Sequence, residues 1–181
     1  MPSPRRPASP DSELLAALFG VYAEVDRAFA EHSCPASTEC CRFGITGREP
    51  YVTSIELYAI ERAIAARGGL GSLPRAPSPG RGALPIVPDE RRCPMLTAEG
   101  RCAIYAARPL GCRTFYCDRA TAPSRVRHRE VSALVRQVQE IAARHAPDGD
   151  RGRPLTRAMA ELTSAPRPSR RGSAGAGGSR S

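Results

Sequence analysis

The stretch "CPMLTAEGRCAIYAARPLGCRTFYC", residues 93–117, places four cysteines within 25 positions of a chain that has seven in all. Thiols at that density constrain the fold more than any apolar pattern here. Each must be accommodated as a metal ligand, a disulfide or a small core residue. The other three, Cys34, Cys40 and Cys41, lie in "CPASTECC". An adjacent Cys-Cys pair flanked by Glu39 and Arg42 is not a core pattern, and an odd total leaves one thiol over from any closed disulfide framework. Metal binding is therefore favoured over inert core thiols and over disulfide or redox chemistry.

The compartment matters to that choice. Arg5 and Arg6 precede an apolar run, as in an exported leader. However, Pro7, Pro10, Asp11 and Glu13 separate them from it, and Glu24, Asp26 and Arg27 interrupt its end. No segment approaches the roughly 18 consecutive apolar residues of a membrane span. The expectation is a cytoplasmic protein with reduced thiols.

The formal charge of +9 suggests nucleic acid until its distribution is considered. Residues 1–10 carry two Arg and no acid, and residues 147–181 carry seven Arg against three acids, so six of the nine charges belong to the tails. All 27 basic residues are Arg, in a chain also rich in Ala, Pro and Gly, which fits a bacterial-like, GC-rich composition. Nucleic-acid binding is disfavoured. The G-x-G of "GLGSLPRAPSPG" has no preceding strand and is followed by prolines, so it fails as a nucleotide fingerprint. No G-x-S-x-G nucleophile motif is present.

The pattern of apolar residues predicts a mainly α, small metal-centred domain: about three helices around a cysteine-rich loop and a short hairpin, with disordered tails. Ser9 and Pro10 supply an N-cap and a first-turn proline for a first helix that buries Leu14, Leu18, Val21, Val25 and Phe29. A second begins at "TSIE", where Thr53 and Glu56 form a capping box, and buries Leu57, Ile60 and Ile64. Residues 70–90, with five prolines, read as a loop or tether. "CPMLTAEGRCAI" reads as a hairpin turning at Ala98–Gly100, which brings Cys93 and Cys102 together. Pro109 ends a helical turn, and Gly111 permits a tight approach that sets Cys112 beside Cys117. The last helix runs from about 124 to 145, with Val131, Leu134, Val138 and Ile141 inward. The expected organisation is a disordered tail 1–10, a cysteine-cluster domain 11–146 with its motif region at 34–117, and a mostly disordered Arg/Gly/Ser-rich tail 147–181.

Soft thiolates suit zinc, iron or iron–sulfur centres, whereas Mg and Ca demand oxygen ligands. A four-thiolate zinc site or an oxidised four-iron cluster retains about two negative charges. Arg42, Arg91, Arg92, Arg101 and Arg113, all close in sequence to cysteines, are candidates to offset that charge or to donate to sulfur. Among the three His, His32 stands two residues before Cys34 and is a candidate to complete a site. His128 and His145 are too far apart along one helix to share an ion.

The loop ending in "CCR", the following "VTSIEL" and above all "CPMLTAEGRCAIYAARPLGCRTFYC" resemble the YkgJ-like CxxCxxCC cysteine-cluster family, a zinc- or iron-chelating domain. The resemblance implies that Cys34, Cys40, Cys41, Cys93, Cys102, Cys112 and Cys117 form the metal-ligand set, with zinc or an iron or iron–sulfur centre as cofactor. The family's opening has a further cysteine where this chain has Ser37. The eighth ligand is then a carboxylate such as Glu39, a His, water or nothing, and an open position is a feature of catalytic sites. Three roles follow. The favoured one is a metal-binding protein in metal handling or as a small metal-dependent accessory. The second is an iron–sulfur enzyme or accessory in redox or protein-modification chemistry, since the resemblance extends to relatives linked to lysine methylation. The third is a zinc-stabilised module whose basic tails bind an acidic protein partner.

Overall fold

The structure, a computed structural model, describes residues 9–30, 38–73, 92–114, 128–148, 150 and 152–164. It is mainly helical. Helix α1 spans Pro10–Ala28; the Ser9 side chain accepts from the Ser12 N–H at its start, and Asp11 and Glu13 sit favourably in its first turn. After the 3-10 turn Glu39–Cys41 come α2 (Phe43–Thr46), the two-residue strand β1 (Tyr51–Val52) and α3 (Ser54–Ala66). The 3-10 turn Tyr105–Ala107 leads to α4 (Leu110–Thr114), followed by α5 (His128–His145), β2 (Arg153–Pro154) and α6 (Leu155–Ser164).

Two apolar clusters meet on α3. On one side Ile55 and Ala59 join Leu14, Leu18, Val21, Tyr22, Val25 and Phe29 of the α1 region and Leu134, Val138, Ile141 and Ala142 of α5. On the other, Leu57, Ile60 and Ile64 join Phe43, Val52, Met95, Leu96 and Ile104, with Leu155, Ala158 and Met159 of α6. A helix apolar on both sides belongs in the middle of a small domain, and α3 takes that place. The buried stripes expected for α1, α3 and α5 are all present, with Val131 partly buried at the edge.

One part of the organisation differs from expectation. Beyond residue 146, where the composition predicts a mostly disordered tail, the chain pairs Tyr51 with Pro154 and Val52 with Arg153 in an antiparallel ladder and then forms α6. The Glu49 carboxylate accepts from the N–H and hydroxyl of Thr156, and the Leu155 N–H donates to the Pro50 carbonyl at 3.0 Å. The polar, Arg-rich flanks hid a usable signal. Leu155, Ala158, Met159 and Leu162 recur at helical spacing, and the first three are buried against α3 and β1. Residues 1–8 and 165–181 lie outside the described residues, as does most of the 70–90 loop beyond its opening 3-10 turn Leu70–Ser72.

Candidate metal centre

Residues 93–103 form the expected tight hairpin. Leu96 bridges Cys102, the Thr97 N–H donates to the Arg101 carbonyl at 2.8 Å, and the Ala103 N–H donates to the Met95 carbonyl at 2.8 Å. Gly100, with φ +70°, supplies the left-handed turn residue. The hairpin is docked onto the first cysteine loop through its backbone: the Cys93 N–H donates to the Cys41 carbonyl at 2.8 Å, and Arg42 bridges Arg92. This docking brings Cys40 and Cys41, in their 3-10 turn, to Cys93 and Cys102. Cys112 comes to the same place from α4, and its thiol feels the charges of Cys102, Cys41 and Cys40.

The position of α4 depends on Glu56, which is 2% exposed. As the capping-box residue its Oε2 accepts from the Thr53 N–H and hydroxyl, both at 2.9 Å. Its Oε1 accepts from the Leu110 N–H at 2.8 Å and the Tyr22 hydroxyl at 3.2 Å. One carboxylate thus ties the first turn of α3 to α4 and to α1. The close approach of α4 also needs Gly111, because a Cβ there would stand 3.0 Å from the Pro50 Cβ. Only the capping box is visible in the local sequence. The other two partners are 34 and 54 residues away in sequence and leave no local trace.

Of the seven expected ligands, five are therefore brought to one region: Cys40, Cys41, Cys93, Cys102 and Cys112. All five are free of disulfides. Cys34 and Cys117 lie outside the described residues, as do His32 and Ser37, so the expected pairing of Cys112 with Cys117 does too. His145 is elsewhere; its Nδ1 is 2.8 Å from the Ser54 hydroxyl and its ring packs near Tyr58. Arginine also differs from expectation. Arg42 and Arg101 are exposed, Arg91 lies outside the described residues, and Arg92 donates to the Leu96 and Thr97 carbonyls inside the hairpin. Arg113 is buried. Its Nε donates to the Arg108 carbonyl and its two terminal nitrogens to Asp26 and the Ala106 carbonyl, while the guanidinium lies over the Tyr22 ring at 4.2 Å.

The thiols are in an environment hostile to their own ionisation. The Cys41 thiol pushes that of Cys40 strongly up, helped by burial. At Cys41 the bond to Cys40 favours the thiolate, but Cys93, burial and the charge of Cys102 outweigh it and the thiol is pushed up to about 12. Burial raises Cys102 against the opposing effect of the Ile104 N–H and Arg108. It raises Cys112 further, with the neighbouring thiolates adding to it. Crowded, buried thiolates repel one another, and a cation among them reverses each of these effects.

The donor set suits a soft metal in chemistry, and one sulfur–sulfur distance matches a ligand pair. The Cys40 and Cys41 sulfurs are 3.9 Å apart, and a tetrahedron with metal–sulfur bonds of about 2.3 Å has edges of about 3.8 Å. Among the described residues no group of three or more His, Cys, Asp or Glu side chains is arranged so that it could hold a metal ion.

The raised thiols give the metal-free chain a definite pH dependence. An unfolded Cys ionises near about 8.5. Above that pH the folded chain binds more protons than the unfolded one, so stability is fully present below it and falls as pH rises, through about 12 for Cys41. Metal-free protein is expected to melt about 5 °C or more lower at pH 10 than at pH 7, followed by circular dichroism. Equal melting temperatures at the two values would mean that the thiols are well solvated.

Fold and cluster together define a small helical protein organised around convergent reduced thiols. Residues 33–133 match the family model CxxCxxCC, described as a putative zinc- or iron-chelating domain. The match covers more than half of the 181 residues, and the chain belongs to that family. No curated protein and no solved structure matches it. Among the described residues no helix is long and apolar enough to cross a membrane.

Proposed function

We propose that the chain is a metal-binding cysteine-cluster protein that holds one zinc or iron ion through its thiolates, in the cytoplasm, as a metal-handling or metal-dependent accessory protein. Cys40 and Cys41 supply two ligands of the ion. Cys93, Cys102 and Cys112, with Cys34 and Cys117, are the candidates for the others. The observation that carries the reading is the convergence of five free thiols from three separate segments, two of them at the spacing of ligands on one ion. Membership of a zinc- or iron-chelating family agrees with it. The metal-binding unit is residues 34–117, within a folded body that begins near residue 11 and takes in α6 beyond residue 146.

Metal and acid-labile sulfide analysis of protein purified without oxygen tests this. About one zinc or iron per chain without sulfide is expected, because a mononuclear thiolate site contains no inorganic sulfur. Iron with equal sulfide and a brown colour would replace the single ion by a cluster and bring redox chemistry forward. A chain that retains no metal, and takes up neither zinc nor iron on titration, would overturn the reading.

A further inference from the structure

The docking of the hairpin onto the first cysteine loop sets two cysteines face to face. Arg42 bridges Arg92 in antiparallel register, and the Cys93 N–H donates to the Cys41 carbonyl at 2.8 Å. Cys41 precedes Arg42 and Cys93 follows Arg92, so the two are direct opposites across this pair. Opposed residues joined by such a bond have Cα atoms about 5.5 Å apart and side chains on one face. A disulfide needs Cα atoms about 4.4–6.8 Å apart, so rotation about the two Cα–Cβ bonds is enough to join these sulfurs. The other described cysteines are placed differently. The Cys40 and Cys41 sulfurs are 3.9 Å apart, but adjacent Cα atoms stand about 3.8 Å from each other, below the disulfide range. Cys102 faces Leu96 across the hairpin, and Cys112 is carried by α4. The opposed pair also differs in exposure: Cys41 is half-buried, whereas Cys93 is only 7% exposed.

We propose that Cys41 and Cys93 form a redox switch on the metal centre: a hydroperoxide oxidises them to a disulfide, and the ion is released. The proposal rests on the metal-binding reading above. The thiolate is both the metal ligand and the nucleophile, so the form that holds an ion is the form that reacts. The more exposed Cys41 thiolate attacks one peroxide oxygen and the O–O bond breaks, leaving a sulfenic acid and hydroxide. The opposed Cys93 thiolate then displaces a second hydroxide from that sulfur and closes the S–S bond. Two electrons pass from the two sulfurs to the peroxide, and the two hydroxides take up protons to become water. Disulfide sulfur carries no negative charge, so the site loses the Cys41 ligand and the thiolate beside it together. The backbone bond between Cys93 and Cys41 is untouched, so the hairpin stays docked and a thiol reductant reverses the change. In a reducing compartment such a disulfide is transient, which is what a peroxide sensor requires.

The test uses the full chain, loaded with zinc(II) and treated with an equivalent of hydrogen peroxide. Disulfides are mapped by mass spectrometry of non-reduced peptides, and released zinc is followed with a chromogenic chelator. A linkage of Cys41 to Cys93 is expected, with loss of the bound zinc in step with it and recovery of both thiols on reduction. Cys93→Ser is expected to stop at the Cys41 sulfenic acid, trapped as its dimedone adduct, with no linkage at Cys41. Should that variant fail to fold, the wild-type map decides alone. Cys41 linked to any other cysteine, no linkage at all, or the Cys41–Cys93 linkage formed with zinc retained overturns the switch and leaves the metal reading standing. A chain that takes up neither zinc nor iron overturns that reading and the release with it, while the map of the same oxidised chain still decides the pairing.

Discussion

Glu56→Ala is expected to lower the stability of the metal-free chain by about 3–4 kcal/mol, among the largest effects of any single substitution in this fold. The carboxylate accepts four hydrogen bonds, from the Thr53 N–H, the Thr53 hydroxyl, the Leu110 N–H and the Tyr22 hydroxyl. Bonds to an ionised acceptor each contribute about 1.5–3 kcal/mol, and a buried donor left unpaired costs about 1–3 kcal/mol. Thr53 is half-buried and regains water, which limits the loss at that end. The Leu110 N–H and the Tyr22 hydroxyl are buried and do not. The melting temperature should drop by roughly 12 °C or more. Glu56→Gln keeps the volume and an acceptor oxygen but turns one of the two oxygens into a donor facing other donors, so it should also destabilise, by less. A melting temperature within about 2 °C of wild type for Glu56→Ala would mean that α4 is held in place by its apolar contacts alone. Because α4 carries Cys112, the variant should also lose metal affinity.

Cys41→Ala has the second large effect, and it appears in metal binding rather than in the metal-free fold. Cys41 stands between Cys40, at 3.9 Å, and Cys93, and its carbonyl accepts the Cys93 N–H that docks the hairpin. The backbone bond survives the substitution; the central thiol does not. Metal affinity is expected to fall by more than about 100-fold, beyond the loss seen when only a residue supporting a ligand is changed. The metal-free variant should melt at or above the wild-type temperature at pH 10, since a thiol crowded by its neighbours has been removed. Binding energy in such a site is part of folding energy, so the gain in melting temperature on adding zinc should shrink in the variant. Full metal occupancy with an unchanged gain would exclude Cys41 from the ligand set. Cys112→Ser offers a second check from a different segment. It should lose metal in the same way, while its hydroxyl keeps most of the packing in α4.

Local signals explain why much of the fold was legible beforehand. The N-cap at Ser9, the capping box of Thr53 and Glu56, and the stripes of α1, α3 and α5 act over one to four residues, and the structure reproduces them. The hairpin at 93–103 was equally local, because a short run with a glycine in a left-handed turn has few other ways to fold. Helix α6 had its periodicity in plain view, but the surrounding Pro, Gly and Arg outweighed four apolar positions. Its stability comes from a strand pair with residues a hundred positions earlier, which no local window contains.

The sequence by itself determined the chemistry available to this protein: seven soft thiols, three short helical stripes and a hairpin that must bring two cysteines close. Residue type and near-neighbour spacing are enough for that, because helix capping, turn formation and ligand softness are local properties. Only the tertiary structure decided which distant partners these side chains take. It gave Glu56 to α4 and α1 as well as to its own helix, and committed Arg113 to Asp26 and the backbone. The reason is that burial and a hydrogen bond's partner depend on distance in space, and between residues 30 to 90 positions apart the packing of α1, α3 and α4 sets that distance.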